Sequence, residues 1–151
     1  MNIKLKLKCP LLIISFLLMA WSCDTFVDDT PVTKEVSLDV SGTWKIIKAT
    51  RNDSDIGAYM DFTQFRLKLN KDGIYSIENY CPFIVKKTSG KWEIDNPVYP
   101  FLLSFYDMDG SNEIRSILNY PIFEGKRRIV LSFSLGCSNN TYSYTFEKEN
   151  N

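Results

Sequence analysis

The chain has no histidine among its 151 residues. That absence removes the side chain whose charge changes near neutral pH. With it go a His general base, a His-containing triad and any imidazole metal ligand. Carboxylate chemistry stays open, but the commonest catalytic tools are gone, and neither an enzyme nor a cofactor or metal site is expected. A basic excess is also missing: 18 Lys and Arg balance 18 Asp and Glu. Nucleic-acid binding calls for a strongly basic face. The one cationic cluster, Lys126-Arg127-Arg128, reads as the start of a strand, so no nucleic-acid partner is expected. No apolar run reaches the about 20 residues that a helix needs to cross a bilayer core of roughly 30 Å. The run at 11–21, broken only by Ser15, would span about 16 Å as a helix. Internal repeats and low-complexity segments are absent.

What is present begins with the N-terminus. Lys4, Lys6 and Lys8, with no acid nearby, precede that short apolar run and a stretch of small residues, which is the pattern of a secretory signal peptide over 1–22. The residues Ala20-Trp21-Ser22-Cys23 resemble a bacterial lipobox, which implies cleavage before Cys23 and acylation of its thiol by a diacylglyceryl group. Ala20 stands where that motif usually has Leu, and Trp21 is bulky for it. Ordinary signal-peptidase cleavage fits Ala20-x-Ser22 equally well. Removal of 1–22 leaves a chain with more acids than bases. Residues 23–37 are polar and acidic with no periodicity, and read as a flexible lipidated tether. The expected setting is the cell envelope, as an outer-membrane lipoprotein facing the periplasm or the cell surface. The expected membrane contact is the lipid anchor at Cys23.

From residue 38 to 149 the hydrophobic pattern has period two. Eight segments carry it: GTWKIIKAT (42–50), FTQFRLKLN (62–70), GIYSIENY (73–80), GKWEID (90–95), YPFLLSFYD (99–107), NEIRSILNY (112–120), RRIVLSFSL (127–135) and TYSYTFEK (141–148). NKDG at 70–73 is a hairpin turn, and one helical turn is conceivable around 56–62. Eight short strands joined by turn-rich connections predict an all-β barrel or sandwich. A barrel has the advantage of leaving no open edge.

An eight-stranded up-and-down barrel also makes a claim about the cysteines. Alternate connections gather at one mouth, and Cys81 and Cys137 fall in two of them. With Cys9 cleaved off and Cys23 acylated, an even pair remains in an oxidising compartment. A Cys81–Cys137 disulfide is therefore expected, with two free thiols as the alternative. Acids also gather at that mouth: Asp53 and Asp55, and then Asp107, Asp109 and Glu113. The latter loop matches part of a calcium loop only loosely, and a solvated turn explains it better.

Gly42-x-Trp44 at the start of the first strand, followed by the eight-strand meander, resembles the lipocalins. GTWK, DGIYSI, GKWEID and the closing YSYTFEK, in that order after a lipobox and an acidic tether, resemble most closely the lipocalin-like lipoproteins of Bacteroidetes, a group of unknown function. The resemblance covers about 38–149 and implies an eight-stranded antiparallel up-and-down barrel. The helix that lipocalins pack beside the barrel, and their motif between strands six and seven, have no counterpart here.

The resemblance further implies a small apolar or carbohydrate ligand held at the open end. Trp44, Tyr75, Trp92, Phe101, Tyr142 and Tyr144 are the ligand-binding candidates, within an interior set that also includes Phe65, Phe105 and Phe133. The alternative is a barrel filled by its own side chains, since eight strands leave an interior only just wide enough for them. In that case Trp44 plugs the closed end, and the molecule is a protein-interaction module. It would be an enzyme inhibitor or an accessory subunit of an outer-membrane complex, with Tyr80, Phe83 and Tyr120 as contact residues.

Overall fold

The structure is a computed structural model that describes residues 35–79, 83, 85–134, 136 and 139–149. The signal segment 1–22, Cys23 with most of the tether, and both Cys81 and Cys137 lie outside the described residues.

Ten strands form: β1 (Gly42–Arg51), β2 (Ser54–Asp55), β3 (Arg66–Leu69), β4 (Ile74–Glu78), β5 (Ser89–Ile94), β6 (Leu102–Tyr106), β7 (Glu113–Asn119), β8 (Ile122–Phe123), β9 (Lys126–Ser134) and β10 (Thr141–Lys148). Eight of them match the eight alternating segments, and β2 and β8 are two-residue additions. The order β1-β3-β4-β5-β6-β7-β9-β10 is antiparallel throughout, and β10 pairs back onto β1. The fold is thus a closed eight-stranded up-and-down barrel of lipocalin-like architecture. No helix occurs among the described residues. The segment at 56–62 is a turn, in which Tyr59 N donates to Ile56 O.

Alternation fixes which side chains point in. Leu67 and Leu69 on β3, Tyr75 and Ile77 on β4, Leu103 and Phe105 on β6, Ile129, Leu131 and Phe133 on β9, and Tyr144 and Phe146 on β10 are all buried. Each fully buried side chain of this size contributes about 1.5–3 kcal/mol relative to exposure. β1 breaks the rhythm. Its register against β10 slips between Ile46 and Lys48, so the extra residue, Ile47, faces out while Ile46 and Ala49 both face in. Such a bulge bends a strand and re-aims its side chains, and it reconciles the consecutive isoleucines of KIIKAT with a one-sided core.

Several strands are shorter than their alternating segments. β3 starts at Arg66 because Phe62–Phe65 close a turn, with Phe65 N donating to Phe62 O and Asp61 Oδ1 accepting from Thr63 N. β6 starts at Leu102 because Asp95 claims the preceding amides. Its Oδ1 accepts from Asn96 N at 3.0 Å, Phe101 N at 2.8 Å and Leu102 N at 3.0 Å. Those three amides hold the Asp95 carboxyl below the ordinary carboxylate range.

The chain enters the barrel at the end that carries the 70–73, 95–101 and 120–125 connections. There Leu38 N donates to Pro97 O at 2.7 Å, and Tyr99 Oη donates to Glu35 Oε1 at 2.6 Å. Trp44 seals this end. It is buried, its Nε1 donates to Val40 O at 2.9 Å, and the Lys148 ammonium lies 5.7 Å from its ring centroid. Gly42 makes this seal possible. Its φ is +132°, and a Cβ there would run into the stem of Lys148.

Candidate functional site

The opposite end is the mouth, built by the connections 52–65, 79–88, 107–112 and 135–140. Its central feature is Phe83, which turns in from the 79–88 connection and is buried. Its ring centroid lies 5.2 Å from Phe65, 5.7 Å from Phe133, 5.0 Å from Tyr144 and 6.0 Å from Phe146, mostly edge to face. Phe62, from the preceding connection, packs its edge on Tyr144 at 6.2 Å. Aromatic pairs in such geometry add about 0.5–1.5 kcal/mol each beyond burial. The loops therefore supply a plug, and the upper interior is filled.

The six candidate ligand residues do not share one cup. Trp44 lies at the closed end. Trp92 is half-buried near that end, with Nε1 donating to Asn70 O at 3.0 Å. Tyr144 belongs to the core beneath Phe83. Tyr142 is half-buried at the mouth, with the Arg51 guanidinium 5.5 Å from its ring centroid. Phe101 is not inside the barrel: it stands at the closed-end rim before β6 and is 59% exposed. Its period-two position points inward and its carbonyl still accepts from Leu118 N at 2.8 Å, but its ring stands outside the packed core at the end of the wall. Of the expected protein-contact residues, Phe83 is buried and Tyr120 lies at the closed end rather than the mouth; Tyr80 is outside the described residues.

Tyr75 alone among the six borders a hollow at the mouth. That hollow, of about 340 Å³, has Tyr75, Val85, Phe105 and Ile114 beneath and Lys86, Lys87, Tyr106, Asp107, Asn112 and Glu113 around it. Burial raises the Tyr75 phenol above its ordinary value, and the nearby Asp107 adds to this. The Tyr75 and Phe105 rings meet at right angles, 5.2 Å apart. Gly90, opposite Tyr75 on β5, leaves room for the ring. A Cβ there would lie 2.7 Å from Tyr75 Cε1 and collide with the Tyr106 carbonyl oxygen.

On the outer wall beside the hollow, a polar network spans β5, β6 and β7. The Tyr106 hydroxyl lies 2.6 Å from Glu93 Oε1 and 3.0 Å from Glu113 Oε1. Arg115 Nε donates to the same Glu113 oxygen at 2.7 Å, and Ser104 Oγ also donates to it, at 3.0 Å. Arg115 keeps the Glu113 carboxyl below its ordinary range. The bond to Glu93, with burial and Glu113 adding, pushes the Tyr106 phenol up to about 12.

The acidic turn is internally satisfied. Asp109 Oδ1 accepts from Ser111 N and Oγ, and Asn112 Nδ2 donates to Asp107. Among the described residues, no group of three or more His, Cys, Asp or Glu could hold a metal ion. A larger hollow, of about 560 Å³, lies along the β1 bulge under the 57–63 turn. Another, of about 820 Å³, lies on the outer wall between Lys45, Lys126 and Glu149. Both are more polar than the hollow over Tyr75 and Phe105, as is a further one of about 440 Å³ at the mouth between Asn52, Asp53, Asn139 and Thr141. Neither Phe83 nor Phe62 was among the expected interior residues. The apolar run Phe83-Ile84-Val85 inside a connection was the available signal, since solvated connections are seldom so apolar.

The model of a family described as a domain of unknown function (DUF5004) matches residues 22–147. The match takes in the whole barrel from β1 nearly to the end of β10, and the chain belongs to that family. Comparison with curated proteins and with solved structures returns no match.

Proposed function

We propose that the chain is a lipocalin-like lipoprotein of a Bacteroidetes cell envelope, anchored through Cys23. It binds a small apolar or carbohydrate ligand at the open end of the barrel, without turnover. The observation that carries the ligand reading is the hollow over Tyr75, Phe105, Val85 and Ile114. It has an apolar floor and a rim of both charge signs, at the lower end of the size range for small-molecule sites. The plug formed by Phe83 restricts a ligand to this shallow site. A long chain threaded into the barrel axis does not fit this reading.

The test is mass spectrometry of the full chain purified gently from its own envelope, native and denatured. The expected denatured mass is that of residues 23–151 plus a diacylglyceryl group. The expected native mass carries a further few hundred daltons or so, in keeping with a hollow of this size, and Ile114→Trp, which fills the hollow, abolishes the addition. A native mass with no addition overturns ligand binding.

The aromatic plug favours a second reading, a protein-interaction module with a packed core. A stoichiometric protein partner recovered from the same envelope, with no small-molecule mass, would establish it.

A further inference from the structure

Exposed apolar side chains are more numerous at the closed end than at the mouth, where Tyr59 and Met108 are exposed. At the closed end Ile122 is 66% exposed, Tyr99 65%, Phe101 59% and Phe123 53%. They come from two neighbouring connections, 95–101 and 120–125, which flank the β6–β7 pair. Arg127 stands 5.8 Å over the Tyr120 ring and Arg128 4.5 Å over the Phe123 ring. Between residues 120 and 128 there are three cations and one acid, Glu124. Glu147 lies against this cluster, 3.8 Å from Lys126 and 3.5 Å from Arg128, while Asp95 is bonded by three backbone amides and Glu35 by the Tyr99 hydroxyl. Aromatic rings beside Lys and Arg suit the boundary where lipid headgroup phosphates meet acyl chains.

The course of the chain favours the same occupant. The segment leading from Cys23 reaches the barrel at this end, where Glu35 and Leu38 are bonded to the 95–101 connection. Eleven residues, 24–34, lie between Cys23 and Glu35. As a coil such a segment averages about 20 Å end to end, and fully extended it reaches about 40 Å. A tether that joins the barrel at this end lets this end touch the bilayer without the chain crossing the mouth.

We infer that the closed-end surface of Tyr99, Phe101, Ile122, Phe123, Lys126 and Arg127 rests on the bilayer that holds the anchor, so that the mouth points away from the membrane. The inference rests on the proposed acylation of Cys23. Docking orients the site: a ligand or partner approaches from the aqueous side, and the tether does not cross the mouth.

The test is hydrogen exchange on the full acylated chain in vesicles of phosphatidylethanolamine and phosphatidylglycerol, compared with Cys23→Ser free in solution. The denatured mass is taken first. The expected result is slowed exchange on vesicles for segments 96–101 and 120–126, with 57–63 and 107–112 unchanged. Unchanged exchange at 96–101 and 120–126, or protection at the mouth segments instead, overturns the docking while leaving the anchor intact. If the mass shows no acyl group, the anchor reading fails. Docking is then tested by flotation of the unacylated chain with the same vesicles. Flotation abolished by Phe101→Ser with Phe123→Ser supports it, and absence of flotation overturns it.

Discussion

At the scale of single residues, Phe83 has the largest structural consequence. It comes from a connection rather than a strand, yet it touches four aromatic rings of the core. Replacing Phe83 by Ala removes those contacts and leaves a cavity beneath the mouth. The expected loss is about 3–5 kcal/mol, read as a lower urea midpoint with little change in slope. A loss below about 0.5 kcal/mol, the level of an ordinary surface substitution, would show that the plug is not built as described.

Elements are joined here by side chains as well as by ladders. The Glu93–Tyr106–Glu113–Arg115 network ties β5, β6 and β7 on the outer wall. Its signature is the Tyr106 phenol, pushed up to about 12. Because the folded pKa is raised, this contribution to stability is complete below the unfolded value near 10 and is lost as pH rises through about 12. An ultraviolet absorbance titration of the chain against Tyr106→Phe checks it. The ionisation missing from the variant is expected near 12; if the missing ionisation falls near 10, the bond to Glu93 does not persist in solution.

For the whole molecule, closure is the decisive feature. β10 is hydrogen-bonded to β1 on one side and to β9 on the other, so it converts an open sheet into a barrel. Ending the chain after Asn140 would expose both neighbours as edges and strip Tyr144 and Phe146 from the core. Such a chain is expected to lose its cooperative thermal transition by circular dichroism and to associate through the open edges. A cooperative, monomeric transition would mean that seven strands suffice. Closure also separates two ends with different properties, a plugged mouth with a shallow hollow and an aromatic rim where the chain enters.

Much of this architecture was legible in the sequence. Period-two alternation located all eight barrel strands, because a one-sided core leaves a hydrophobic imprint on every strand that faces it. Gly42-x-Trp44 signalled the barrel, but Trp44, a ligand candidate by sequence, proved to be the seal of the closed end, beside Gly42 at positive φ. The ligand candidates were less legible. Phe101 has the right parity but sits at the last rung of the wall, where Asp95 accepts from the Phe101 and Leu102 amides and the Phe101 ring is left exposed. Phe83 carries no period at all, and its inward turn is decided by a space that exists only once the strands have closed around it. By itself the sequence determined the strands, their alternation and the absence of imidazole chemistry, because these are local and compositional. Only the tertiary structure decided which aromatics fill the barrel, where a hollow is left and which end meets the incoming chain, because those depend on closure between residues far apart in sequence.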